Sequence, residues 1–254
     1  MTRVLVIAVA MLTSAAAMLP ASASPRVAVP TGDITIAAAS SLTEAFGAIG
    51  KGFRSKYRKT SVTFNFGSSA TLETQLEQGA PGDVFASADT STMDSLHGAG
   101  GLRGRPVLFA RNRLAIAVEP GNPKQIRTLA DTIADDVRVV LCAPQVPCGK
   151  YALEAYRKAG VDVPTVPTGL TAKDTLSKVS LGEADAAVVY VTDVEAAAAD
   201  VDGVRIPAAD NVIARYPIAV VADSANPATA RAFVQYVLSR GGQATLGRFG
   251  FLPP

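Results

Sequence analysis

Short apolar runs alternate with segments in which apolar residues recur every three or four positions, from residue 34 to the C-terminus. The short runs read as β-strands at 34–38, 62–66, 84–87, 114–118, 137–141, 186–190 and 218–221. Most are continuous Val/Ile/Ala stretches, the pattern of strands covered on both faces. The segments between them read as helices. Leu42, Phe46, Ile49, Phe53 and Tyr57 share one face of a helix opened by the capping box Ser41-Leu-Thr-Glu44. A second helix starts at Ala70, presents Leu72 and Leu76, and stops at Gly79. A third opens after Pro147-Cys148 and ends at Gly160. Thr171-Ala-Lys-Asp174 resembles another capping box, leading into Leu176 and Val179. Asn226-Pro227 starts a last helix with Phe233, Tyr236 and Val237 inward, closed by Arg240-Gly241. Strands alternating with helices predict an α/β fold with a largely parallel sheet.

Two stretches, 110–114 and 214–217, interrupt the pattern with polar residues and a proline just before strands. They are the expected crossings between two lobes, one of residues 31–112 plus 216–254 and a second of residues 113–215. A single undivided sheet is the alternative.

The N-terminus changes the setting. Arg3, the apolar run from Val4 to Leu19 and the small residues Ala21-Ser22-Ala23 form a secretory signal with cleavage after Ala23. The run is short for a span of roughly 20 residues, and no cysteine stands at the cleavage point for a lipid anchor. The mature chain is therefore expected to be soluble and exported, into a periplasm or cell-envelope space. Taking Arg3 from 24 basic residues leaves 23 against 22 acidic ones, a net charge of +1. That balance, with no arginine-rich stripe, argues against nucleic acid as a partner. The only cysteines, Cys142 and Cys148, stand six apart. In an oxidising compartment they read as a disulfide, with unlinked thiols as the alternative. With a single histidine, His97, and no second cysteine pair, a metal site is not expected.

Enzyme signatures are missing. There is no Gly-x-Ser-x-Gly elbow, His97 falls at the exposed end of a helix, and Gly149-Lys150 lacks the rest of a phosphate-binding loop. What remains is a set of serines between strands and helices. Ser41 and Ser69 each follow a strand's carboxyl end, where α/β sheets bind ligands, and each offers a hydroxyl and a backbone N–H. Cys148-Gly149 supplies a third helix N-terminus and Asp174-Thr175 a fourth, and Tyr190, ending its strand, places a phenol at the same rim.

At these residues the chain resembles the exported molybdate-binding components of ABC importers. The shared motifs are Ala37-Ala-Ala-Ser-Ser41-Leu-Thr, Phe66-Gly-Ser-Ser69-Ala-Thr-Leu, Gly79-Ala-Pro-Gly-Asp83-Val-Phe-Ala-Ser-Ala-Asp89, Val146-Pro-Cys148-Gly149, Val188-Val-Tyr190 and Arg248-Phe-Gly-Phe251. The resemblance implies a two-lobed periplasmic-binding-protein fold of type II with a hinge and no enzymatic activity. It implies molybdate, and tungstate with it, held by Ser41 and Ser69 from one lobe. The N–H groups of Cys148 and Thr175 and the Tyr190 hydroxyl come from the other. Cys148 replaces the small residue, often alanine, usual in the family. No bound cofactor is implied. The partners are the oxyanion and a membrane permease driven by a cytoplasmic ATPase, with the protein itself a monomer.

The proposed contacts are all donors, which suits a fully deprotonated tetraoxo dianion. Monohydrogen phosphate brings a proton with no acceptor to meet it. Sulfate, or another tetrahedral oxyanion, is the alternative ligand. Outside this class stand an exported hydrolase using Ser41 or Ser69 as nucleophile, and a purely structural protein.

Overall fold

The computed structural model describes residues 29–254; the expected signal sequence over residues 1–23 lies outside them. The chain begins with β1 (Gly32–Ala39), one turn of 3-10 helix (Ser40–Leu42), α1 (Thr43–Lys56), β2 (Thr60–Gly67), α2 (Ser69–Glu77), β3 (Val84–Ala86) and α3 (Thr90–Gly98). A long strand, β4 (Leu102–Val118), leads into β5 (Val139–Cys142), α4 (Pro147–Lys158), β6 (Thr168–Gly169), α5 (Ala172–Ser180), β7 (Ala186–Tyr190), α6 (Val191–Ala196) and β8 (Asp202–Arg205). The chain then returns through β9 (Ile213–Val221) to α7 (Pro227–Leu238) and α8 (Arg240–Arg248).

The strands follow the order β2-β1-β3-β9-β4-β7-β5-β6, with β8 also paired to β4. The sheet is mixed. β1 runs parallel to β2 and β3, and β5 parallel to β6 and β7, as the alternating pattern predicts. Where the two parallel sets meet β4 and β9, every pairing is antiparallel. β4 and β9 form a ribbon registered from Leu102 opposite Val221 to Arg113 opposite Ile213. Beyond Arg113, β4 pairs with β7 instead, starting at Leu114 opposite Tyr190. The crossings expected at 110–114 and 214–217 are thus continuous strand. Pro217 is tolerated inside β9 because it faces Leu108 beside a register shift, where a missing N–H breaks no regular rung.

The strand alternation sorts side chains onto two faces. Ile36, Ala38, Val84, Ala86, Ile218 and Val220 point into the large core, while Ala37, Phe85, Ala219 and Val221 pack with Leu72, Met93 and Leu96 on the other face. The large core under α1 and α7 is aromatic, with Phe46 5.6 Å from Phe109 and Phe53 5.3 Å from Phe233. In the second half, β5 and β7 are wholly buried, which explains their continuous apolar sequences.

Several elements differ from the sequence reading. Glu44 forms no capping box with Ser41, because the 3-10 turn shifts the start of α1 to Thr43 and the Thr43 hydroxyl donates to the Ser40 carbonyl. Asn226 precedes Pro227 as expected, but its amide donates to the Asp33 carbonyl and does not cap α7. The glycines after Arg240 do not end the helical region. Ser239 accepts from Gly242 N–H and starts α8, and Gly242 is required there because a Cβ would strike the Tyr236 and Val237 carbonyls.

Cys142 and Cys148 are joined by a disulfide, with Cα atoms 5.7 Å apart. It ties the end of β5 to the first turn of α4, and so small a loop contributes about 2 kcal/mol in the chain-entropy model. Gly149 completes the junction, since a Cβ there would overlap the Ala143 carbonyl oxygen. Gly149→Ala is therefore expected to lower stability by about 2 kcal/mol, read as a fall in thermal midpoint. An unchanged midpoint would show that α4 can sit farther from β5.

Candidate functional site

Four chain segments bring helix beginnings to one cleft, lined by Ala39, Ser40 and Ser41, by Gly67, Ser68 and Ser69, by Val146, Pro147 and Cys148, and by Thr171 and Ala172, with Ala88 and Tyr190 closing it. The first N–H groups of a helix have no intrahelical acceptor, and local chemistry decides which remain available. In α2, Ser68 is the cap and takes the Thr71 N–H at 3.1 Å, which leaves the N–H groups of Ser69 and Ala70. In α4, Pro147 has no N–H and Lys150 N–H already donates to the Val146 carbonyl, which leaves Cys148 and Gly149. In α5, Thr171 caps Asp174 N–H at 3.0 Å, which leaves Ala172 and Lys173.

This accounting moves one expected residue. Thr175 lies a full turn into α5: its N–H donates to the Thr171 carbonyl at 3.0 Å, and its hydroxyl donates to the same oxygen at 2.8 Å. The residues of this segment that reach the cleft are Thr171 and Ala172. Thr171 is the real cap, so counting from Asp174 placed the free N–H groups three residues too far along. Ser41, Ser69, Cys148 and Tyr190 do line one cleft.

The hydroxyls are oriented by their partners. Ser69 Oγ accepts the Ala88 N–H at 3.0 Å, so its own proton is free to point elsewhere. Ser41 Oγ lies 2.9 Å from the hydroxyl of Tyr216, on the β9 crossing strand. Among the described residues, neither serine hydroxyl is hydrogen-bonded to a histidine or a carboxylate. Tyr190 is 1% exposed, and its hydroxyl has no hydrogen-bond partner among the described residues. Burial pushes its pKa well above the ordinary phenol value, with nearby Tyr216 adding to the effect, so the group stays a neutral donor. Its ring meets that of Tyr216 edge-on at 5.8 Å. Tyr216 was not singled out from the sequence; the polar and proline punctuation at 214–217 was the available signal.

No lining residue carries a charged side chain, so the cleft's electrostatics come from N–H and O–H dipoles. Its volume is about 20 Å³, against the ~10–15 Å³ that one water requires on such a measure. It can enclose one compact guest. A larger hollow of about 420 Å³ between β4, α6 and β8 includes none of the serine corners.

One buried acid stands behind the cleft. Asp193 is 1% exposed, accepts the Tyr190 N–H at 3.3 Å through Oδ2, and leaves Oδ1 without a partner among the described residues. Burial raises its pKa from 3.8 to about 7, opposed by Lys173 and the Tyr190 N–H and assisted by Glu44.

Fold and cleft together define a solute-binding protein. The family model for bacterial extracellular solute-binding proteins matches residues 34–252, and the chain belongs to this family, whose members are transport components and not enzymes. It is similar to the molybdate-binding protein ModA of Mycobacterium tuberculosis H37Rv, 43% identical over 221 residues that span 87% of this chain and 85% of that protein. Its fold matches the periplasmic molybdate-binding protein of Azotobacter vinelandii with a TM-score of 0.78 at 20% identity, covering 87% of this chain and 99% of that one. The sulfate-binding protein SubI of Mycobacterium tuberculosis H37Rv matches with a TM-score of 0.77 at 20% identity, covering 87% of each. The architecture is the two-lobed type II binding-protein fold.

Asp193 gives this site a pH signature. Its folded-state pKa lies above the unfolded one, so its neutral form contributes stability that is full below about 3.8 and lost as pH rises through about 7. Asp193→Asn keeps an acceptor for the Tyr190 N–H and removes the ionisation. The variant should be more stable than the wild type at pH 8 and show a flatter profile between pH 4 and 8, read from thermal midpoints. An unchanged slope would assign the titration to another group.

Proposed function

We propose that the protein captures molybdate, and tungstate with it, outside the cytoplasm and delivers it to a membrane permease driven by a cytoplasmic ATPase. The observation that carries this reading is the buried, unpartnered Tyr190 hydroxyl in a cleft lined by N–H and O–H groups and by no charged side chain. The similarity to the molybdate-binding protein ModA supports the choice of metal oxyanion.

The donors are the hydroxyls and N–H groups of Ser41 and Ser69, the N–H groups of Cys148 and Ala172, and the Tyr190 hydroxyl. A tetraoxo dianion offers acceptors only, and each hydrogen bond to it contributes roughly 1.5–3 kcal/mol. Several such bonds, reduced by desolvation and lobe closure, are compatible with nanomolar to micromolar dissociation constants. Monohydrogen phosphate would bury its proton against donors. Sulfate shares the charge and shape of molybdate and is smaller, so it competes through fit alone. No bound cofactor takes part, and the protein acts as a monomer.

Binding couples to closure because the donors are divided. Residues 31–112 with 216–254 supply Ser41 and Ser69, residues 113–215 supply Cys148, Ala172 and Tyr190, and only the closed arrangement completes the shell. The crossing strands β4 and β9 act as the hinge.

Calorimetric titration of the anion-free protein tests this. Tight one-to-one molybdate binding, resisted weakly by excess sulfate and phosphate, is expected. Ser69→Ala and Tyr190→Phe should each weaken binding at least about tenfold. Tyr190→Phe should leave the ligand-free protein as stable as before or more so, because the removed hydroxyl has no partner among the described residues. Sulfate binding as tightly as molybdate would replace the assignment with a sulfate receptor. No binding of any tetraoxyanion would reduce the serine corners to helix caps.

A further inference from the structure

Two ion pairs join the lobes at the edges of the anion cleft. Lys173, the second residue of α5, donates to Glu44 Oε1 in the first turn of α1 at 2.7 Å. Lys150, in the first turn of α4, donates to Asp89 Oδ2 at 3.3 Å and to the Ser91 hydroxyl at 3.0 Å. Asp89 is the cap of α3, accepts the Thr92 N–H at 3.0 Å, and is 4% exposed at the side chain. The other ion pairs among the described residues, Lys124 with Asp136, Arg138 with Glu119 and Asp185, and Lys178 with Glu183, stay within the second lobe.

The placement of these lysines is unusual. Each stands at the positive end of its helix, where the dipole disfavours a cation, while Glu44 and Asp89 stand where the dipole favours an anion. Local helix energetics explain the carboxylates and not the lysines. Each lysine also follows a cleft-lining residue closely: Lys150 comes two after Cys148 and Lys173 one after Ala172. Position at the cleft edge and partners on the opposite lobe give them a common purpose.

We propose that Lys150–Asp89 and Lys173–Glu44 form a two-point latch that holds the lobes closed and sets how long the bound anion stays. The proposal rests on the anion-binding reading above. When the lobes separate, both pairs break and lobe two presents two free ammonium groups beside its unpaired N–H groups, attracting an incoming dianion. When the lobes close, the ammonium groups turn to the carboxylates of lobe one. The anion is then left to the neutral donor shell, and the charges around the cleft balance. Release requires both pairs to open together with the anion's hydrogen bonds, so the latch acts chiefly on the dissociation rate.

The test has one readout without ligand and one with molybdate. Small-angle scattering of the ligand-free protein should find the Lys150→Met/Lys173→Met variant more extended than the wild type at about 20 mM salt, with the difference shrinking at about 500 mM as screening takes over. The chain has no tryptophan, so molybdate dissociation is followed by tyrosine fluorescence in stopped flow. Partly exposed ion pairs of this kind predict a dissociation rate about threefold faster for each single lysine variant and about tenfold for both. Lys173→Glu alone, which sets two carboxylates face to face, should dissociate faster still, and adding Glu44→Lys should bring the rate back toward the wild type. Rescue by exchange requires pairing across the cleft and cannot arise from loss of positive charge alone. Equal dimensions and equal dissociation rates for wild type and double variant, or a failed exchange, overturn the latch. A wild type that ignores molybdate while its dimensions still respond to both lysines keeps the latch and discards the molybdate reading.

Discussion

The first N–H groups of a helix must find an acceptor, and here three helices and a 3-10 turn aim those groups at one small hole. Their capping residues have already withdrawn the donors that local side chains can satisfy: Ser68 takes Thr71, Thr171 takes Asp174, and Pro147 has no N–H to offer. What remains in each case is a pair of adjacent N–H groups, the first of which belongs to a cleft-lining residue: Ser69, Cys148 or Ala172. Serine hydroxyls and the Tyr190 phenol add to the same sign of dipole. The surrounding architecture serves this convergence. Parallel strands set the carboxyl ends of β1, β2, β5 and β7 at the cleft, and the β4–β9 ribbon holds the two sets of strands against one another.

The disulfide and the close contact at Gly149 belong to the same constraint. In the proposed donor shell Cys148 takes part through its backbone N–H, so the position of its peptide plane matters more than its side chain. Tying Cys148 to the end of β5 and seating Gly149 on the Ala143 carbonyl fix that plane from two directions. The disulfide thus becomes a brace for the peptide plane of Cys148.

Strand positions were legible because buried parallel strands leave continuous Val/Ile/Ala runs, and 186–190 was read to the residue. The ribbon was not, because residues 111–113 of β4 are polar and β9 contains Pro217, both of which look like breaks when each strand is read alone. Only their partnership across the register shifts makes them strand. At the site, Ser41, Ser69, Cys148 and Tyr190 were visible as residues following strand ends. Thr175 was displaced because a capping threonine and an acidic residue three positions later leave two candidate helix starts. Tyr216 left only the punctuation at 214–217 as a signal, because it reaches Ser41 from 175 positions away, and Asp193 left none, being defined by burial, which no local pattern encodes.

A site without charged side chains has a consequence for how the protein treats its guest. An arginine or lysine in the shell would attract any anion, including protonated ones, and would hold it by a force that varies slowly with distance. Hydrogen-bond donors fixed by helix ends act only at contact and only toward acceptors, so recognition depends on the number and positions of unprotonated oxygens. Long-range attraction still needs a source, and Lys150 and Lys173 stand one residue beyond the donors on the same helices or close to it. Their charge acts when the cleft is open and is matched by carboxylates when it is closed. Attraction and discrimination are thereby assigned to different groups, and the buried Asp193 carboxyl, neutral below about pH 7, adds little opposing charge until the medium turns alkaline.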